Sequence, residues 1–289
     1  MQMFFKLVRF DLRNGLAAEW KKFLTALIVF LGFFSLHYLR VTAENVYLQR
    51  TGEKGLQFTC ADFILSVLGG MRRVGSGEGN METFPALWMF FFLLLLFDTL
   101  RYPARNLEGM GKTMLLLSRS RRMWWLSKCV WCCCYVWAYF LLLYASAFLM
   151  ALCLGGEMTL QPSEYAPSML DAGRHIKAPP WNMSPGLLLA PLAACGMAML
   201  QMALSLWMPP VFAYVFSDVL LLASVFLAVP GLVGNYAMLF RAQLFAEDGF
   251  SLGQGFFGGL DADCPEPAGG LLPHGTLGYS EQRVKGALR

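Results

Sequence analysis

Long apolar runs alternate with charged segments along this chain. Residues 129–154 carry no charged side chain over 26 consecutive positions. A helix of about 20 such residues crosses a hydrocarbon core about 30 Å thick, because helical backbone satisfies its own hydrogen bonds. The pattern predicts five membrane spans in a transmembrane region of residues 23–233, at about residues 23–39, 81–100, 129–154, 185–208 and 211–233.

The first 22 residues precede these spans and predict an amphipathic helix. The basic side chains share one face of the helix and the apolar ones the other. This pattern is typical of a helix on the membrane surface, with Trp20 at the headgroup level. A signal peptide is the alternative, and the long charged start of 1–22 disfavours it. The two faces hold Lys6, Arg9 and Arg13 against Phe4, Phe5, Val8 and Leu12.

Two further segments are not predicted to cross. Residues 58–70 are apolar but too short, so we expect an external helix or a loop packed against the spans. Residues 234–289 are rich in Gly and Pro, have the composition of loop or disordered chain and give no confident span. Five spans would leave this tail on the outer side.

The composition agrees with an all-α, polytopic membrane protein of about five to six transmembrane helices. The chain is 57% hydrophobic and only 15% charged, against about 25% charged residues in soluble domains. No Lys or Arg falls inside a predicted span. The eight cysteines predict no disulfide framework. A metal site at residues 132–134 is disfavoured, because consecutive helical side chains diverge and no His is near.

Charge placement predicts the orientation. Residues 101–128, here called the basic loop, carry seven basic residues against one acid, Glu108. Basic loops are retained on the cytoplasmic side. We therefore expect the N-terminus and the basic loop inside and residues 40–83 and 156–184 outside.

Asp98 and Asp218 fall within predicted spans, where an ionisable group is a candidate functional residue. Asp98 lies at the inner end of its span beside Arg101, which favours an interfacial ion pair. Asp218 lies near the inner rim if the Pro209-Pro210 turn is cytoplasmic. A polar contact between spans is favoured there over a proton or ion relay.

No motif in the chain predicts an active site. Residues 109–113 (Gly-Met-Gly-Lys-Thr) resemble the end of a phosphate-binding loop. The full motif needs a glycine at position 106, which is Asn106, and a preceding strand. The chain has neither a His-Glu-x-x-His pattern nor a Gly-x-Ser-x-Gly elbow. We therefore expect no enzyme activity, no catalytic residue, no metal and no nucleic-acid partner.

Taken together, the chain resembles a permease subunit of an exporter-type (ABC-2) ABC transporter over about residues 1–250. The resemblance rests on the amphipathic start, residues 58–70, residues 115–128 and residues 232–250. It implies six spans, a homo- or heterodimer of permease subunits, and a separate ATPase subunit that binds the ATP, so that this chain needs no cofactor. It also implies that the ATPase docks on residues 102–122, with Arg105, Glu108, Lys112, Arg119, Arg121 and Arg122 as candidate contacts.

The end of the chain departs from that pattern, since the family closes with a sixth span. Any crossing helix there would bury at least one of the acids Asp261, Asp263 and Glu266. A reading-frame change near residues 251–255, or a truncation, would explain the difference and would leave an inactive permease. A membrane protein outside transport, such as an immunity, anchoring or sensor component, is the competing hypothesis.

Overall fold

The structure is a computed structural model, and every regular element among its described residues is helical. It describes residues 2–52, 57–71, 84–108, 121–163, 181–243, 245 and 249–250, with backbone only at 2, 51 and 103–108. Within these residues, β-type pairing is limited to two isolated bridges. The predicted all-α fold class is confirmed. The helices are α1 (Gln2–Gly15), α2 (Trp20–Thr51), α3 (Cys60–Leu68), α4 (Ala86–Glu108), α5 (Arg121–Cys153), α6 (Ser184–Leu204) and α7 (Pro210–Phe226).

Three helical stretches are long and apolar enough to cross a membrane. They are Met3–Arg50, Arg121–Cys153 and Ser184–Leu204, and Pro210–Phe226 is apolar but shorter. Together they indicate a membrane protein with transmembrane helices. The total of five to six spans stays a prediction.

The helix ends differ from the predicted span limits in two informative places. Helix α5 begins eight residues before the predicted span 129–154, because its first two turns carry the basic residues that end the loop. Helix α7 ends seven residues before residue 233, because the chain turns there at Pro230 and Gly231. Hydropathy finds the apolar part of a helix and not the helix end.

The long helices run alternately between two ends of the bundle. At one end, called the α1 end, Tyr102 of α4 and Lys128 of α5 contact α1. At the other, called the α3 end, the Cys60 amide donates to the Glu157 carbonyl oxygen, 3.0 Å away. The segments predicted to lie inside and outside thus gather at opposite ends among the described residues.

Aromatic side chains form the centre of the bundle, where α2, α4 and α5 meet. The Phe30 ring packs edge-on against Tyr139, with 5.2 Å between ring centroids, and Phe91 lies 5.3 Å from Tyr139. Helix α3 is almost wholly buried beside them, and Phe34 of α2 packs against its Phe63. The short apolar segment predicted to pack against the spans is therefore part of the core.

Residues 233–241 form two 3₁₀ turns that pack onto the α3 end, whereas composition alone predicted loop or disordered chain from residue 234. The buried Arg241 guanidinium donates to the carbonyl oxygens of Ser224 and Val225, each 2.5 Å away, at the end of α7. It also donates to Met71 O at 2.8 Å and to the Asn235 side chain. The remainder of the predicted tail, 251–289, lies outside the described residues.

Candidate functional site

A buried group of polar side chains joins α1 to α4 and α5. Asp11 Oδ1 lies 2.5 Å from Lys128 Nζ and accepts a hydrogen bond from the Tyr102 hydroxyl at 3.0 Å. Asp11 Oδ2 accepts a hydrogen bond from the Ser127 hydroxyl at 2.5 Å. Asp11, Tyr102, Ser127 and Lys128, here called the Asp11 cluster, are each at most 4% exposed. Three helices therefore meet on one carboxylate.

The sequence of α1 explains why Asp11 points inward. Leu7, Asp11 and Gly15 are spaced four residues apart, so they lie on one face of the helix. All three are buried in the structure. The absence of a side chain at Gly15 allows close approach, because an added Cβ would collide with Tyr102 and Trp131. This face of α1 therefore packs directly against α4 and α5.

Aromatic rings surround the ammonium group of the pair. Lys128 Nζ lies 4.8 Å from the Tyr102 ring centroid and 5.5 Å from that of Trp124. Tyr102 in turn stacks on Trp131 with 4.2 Å between ring centroids. Buried charges are tolerated when they are paired and hydrogen-bonded, and cation–π contacts add to the pairing. The Lys128 ammonium group is thus paired with the Asp11 carboxylate and contacts two aromatic rings.

The Asp11 cluster spans the two ends of the basic loop. Tyr102 belongs to α4, where the loop begins, and Ser127 and Lys128 belong to α5, where it ends. Of the predicted docking residues, Arg121 and Arg122 are exposed at the start of α5. Arg105 and Glu108 lie on the last turns of α4, where only the backbone is described. Lys112 and Arg119 lie outside the described residues.

Comparison with protein families gives one assignment. The model of the family described as "Protein of unknown function (DUF2705)" matches residues 47–260, which is most of the chain. The chain belongs to the DUF2705 family. No curated protein and no solved structure matches it. Tyr102, Ser127 and Lys128 lie within the matched range, and Asp11 lies before it.

Asp98, one of the two predicted intramembrane acids of this DUF2705 chain, is buried at 7% exposure near the α1 end. Lys22 of α2 donates to its backbone carbonyl oxygen at 2.8 Å and pairs with Glu19 at 2.6 Å. The Tyr135 hydroxyl faces the Asp98 carboxyl. Arg101, which the sequence suggested as the partner of Asp98, is exposed. The basic neighbour is therefore Lys22, from another helix.

Asp218, the second acid, lies on α7 and is half-buried. Its neighbour one turn earlier, Tyr214, donates a hydrogen bond to the Leu93 carbonyl oxygen of α4 at 3.3 Å. The carboxyl Oδ1 of Asp218 has no hydrogen-bond partner among the residues that the structure describes. The structure does not bring Asp98 and Asp218 together with the Asp11 cluster in one site.

The described part of the DUF2705 chain holds no group of three or more His, Cys, Asp or Glu side chains that could bind a metal ion. Its strongest polar cluster centres on Asp11, which sequence analysis missed. The available signal was a single acid on an otherwise basic helix, four residues from both Leu7 and Gly15. Lys128 was counted as a loop charge and is instead a buried partner.

Proposed function

We propose that this DUF2705 chain is the membrane-spanning permease subunit of an ABC exporter. In this proposal it moves a substrate across the bacterial cytoplasmic membrane when a separate ATPase subunit binds at the basic loop. ATP would bind to the ATPase subunit alone, and two permease subunits would form the translocating unit. The proposal rests on the resemblance of residues 1–250 and on the geometry of the loop ends.

The supporting observation is that one carboxylate ties both ends of the basic loop to α1. A partner that pulls on the loop acts on Tyr102 and on Ser127 with Lys128, and all three donate to Asp11. Interfaces with discrete packing arrangements convert a small displacement into a shift between two states. A displacement of the basic loop would thus move α1, α4 and α5 together.

Exposed bases provide a docking surface for an acidic groove on the ATPase. Arg121 and Arg122 project from the first turn of α5, about two turns before Ser127 and Lys128 of the Asp11 cluster. Complementary charge speeds and orients association more than it adds affinity. The retention of basic loops on the cytoplasmic side would place this surface where an ATPase can reach it.

The test is co-purification of the full chain with an ABC ATPase encoded beside it. We expect Arg121→Glu with Arg122→Glu to weaken the complex, because both charges reverse on an exposed surface. The matched control is Arg40→Glu with Arg50→Glu, which reverses two charges that are also exposed but lie on the second half of α2. A tag-accessibility assay must show unchanged orientation, since basic residues also set topology.

Two results would contradict the proposal. One is ATP hydrolysis by the isolated chain. The other is equal binding of the ATPase by the wild type and both reversed variants. A membrane component without transport activity would bind no ATPase at all, which is the result expected from the competing hypothesis.

A further inference from the structure

The outward face of α1 carries a compact basic surface. Lys6, Arg9 and Arg13, here called the α1 basic face, are spaced three and four residues apart and are all exposed. They lie on the side of the helix opposite Leu7 and Asp11, which are buried against α4 and α5. Because the face with Leu7 and Asp11 is packed against α4 and α5, the three cations point away from the bundle.

No acid in the described part of this region neutralises the α1 basic face. The only acids in residues 2–22 are Asp11 and Glu19. Asp11 pairs with Lys128 inside the bundle, and Glu19 pairs with Lys22. Each of these two acids is thus paired with a cation other than Lys6, Arg9 and Arg13.

Exposed aromatic side chains flank this charge. Phe5 is 64% exposed and Trp20 is 58% exposed. The cations and the exposed Trp and Phe side chains precede an apolar span. This combination matches the chemistry of a bilayer interface, where aromatic rings enter the acyl boundary and cations contact the headgroups. Charge alone would suit an acidic protein surface as well, whereas a bilayer interface accommodates both the cations and the rings.

We infer that the α1 basic face binds the headgroups of anionic phospholipids. The partner is a lipid surface with a net negative charge, and Phe5 of α1 and Trp20 at the start of α2 anchor this part of the chain in it. This site lies apart from the exposed Arg121 and Arg122 of the docking proposal. It depends on this chain alone, so the transporter proposal can fail without affecting it.

The test measures lipid preference with the full chain reconstituted in phosphatidylcholine. Spin-labelled phosphatidylglycerol and spin-labelled phosphatidylcholine report their relative association by electron paramagnetic resonance. We expect the wild type to prefer phosphatidylglycerol and to lose preference at high salt, because screening weakens exposed charge interactions. Arg9→Gln with Arg13→Gln should lower the preference on the order of fivefold per removed charge.

Two matched variants make the result specific. Arg40→Gln with Arg50→Gln removes two exposed charges from α2 and should leave the preference unchanged. Arg9→Lys with Arg13→Lys keeps the charge and should also retain it, which shows that folding is intact. Equal loss in the two Gln variants, or no preference in the wild type, overturns the inference. An unchanged preference together with loss of ATPase binding in the α1 variant would overturn it too and assign the face to a protein.

Discussion

Lys128 and Asp11 form an ion pair with 2.5 Å between Nζ and Oδ1, although 117 positions separate them in the chain. Both side chains are almost fully buried. Removing one member of such a pair leaves an unpaired buried charge, whereas removing both replaces the pair by apolar contact. The pair therefore determines how firmly α1 is held.

The first prediction concerns this pair. Asp11→Leu or Lys128→Met alone should lower the free energy of unfolding by about 3 to 5 kcal/mol, because one charge stays buried without its partner. The double variant should lose less than either single variant, since only the Tyr102 and Ser127 hydroxyls are left without their acceptor. Unfolding in mixed detergent micelles measures the difference. A double variant as unstable as the sum of both singles would contradict the pairing.

The second prediction uses two glycines of the helical N-terminal region. Gly15→Ala should destabilise the protein by about 1 to 3 kcal/mol, because the new methyl group overlaps Tyr102 and Trp131. Gly32→Ala is the control, since nothing lies within 4 Å of a Cβ at Gly32. Because Gly32 lies in the middle of α2, Gly32→Ala should raise the free energy of unfolding by about 0.5 to 1 kcal/mol. Thermal unfolding in detergent should move the midpoint in opposite directions for the two variants.

The third prediction concerns Arg241 at the α3 end. Arg241→Gln should destabilise the protein by about 3 kcal/mol, because the carbonyl oxygens of Ser224 and Val225 lose a charged donor in a buried site. Arg241→Lys should recover only part of this, since a single ammonium group lacks the planar fork. The same unfolding assay applies, with exposed Arg40→Gln as control. Equal stability of Arg241→Gln and wild type would show that α7 ends independently of this side chain.

The fourth prediction follows from Asp62 at the start of α3. Burial raises the pKa of the Asp62 carboxyl, although backbone N–H donors of Thr59 and Ser163 oppose the shift. A carboxyl whose pKa is higher in the folded state binds its proton more tightly there, so folding gains stability as the pH falls. Compared with Asp62→Asn, the wild type should become relatively more stable as the pH falls towards about 4, the ordinary pKa of an aspartate. Thermal unfolding of both proteins in detergent at several pH values measures the effect. A difference between their midpoints that stays constant with pH would contradict the raised pKa of Asp62.

The fifth prediction concerns orientation. Single cysteines at Lys6 and Arg122, in a cysteine-free background, should react with a membrane-impermeant reagent only after the cells are opened. A cysteine at exposed Gln161 should react in intact cells, because it lies at the α3 end. Reaction of all three positions from the same side would exclude the predicted topology.

Hydropathy predicted the helical fold class because long apolar runs require helices in a membrane. It could not predict that α3 lies in the core. A nine-residue apolar helix has the same hydropathy pattern whether it lies on the outer surface of the bundle or inside it. Its place is set by tertiary contacts such as those of Phe63 with the rings of Phe34 and His37 on α2.

The partners of Asp11 could not be predicted from the sequence for a different reason. Periodicity relates positions a few residues apart, and Asp11 meets residues on two distant helices. Retained positive charge also suggested that Lys128 belongs to the loop. Its burial shows that a basic residue near a span end can serve packing as well as orientation.

Helix α7 has 17 residues, which gives a length of about 25 Å, less than a hydrocarbon core about 30 Å thick. The last carbonyl groups of most helices near a membrane are hydrated by water. Here the Arg241 guanidinium and the Asn235 amide, which donates to Leu227 O and Val229 O, provide those hydrogen bonds from within the protein. The chain can therefore leave its helical path without water at these carbonyl groups, and side chains of the protein itself set where this helix ends.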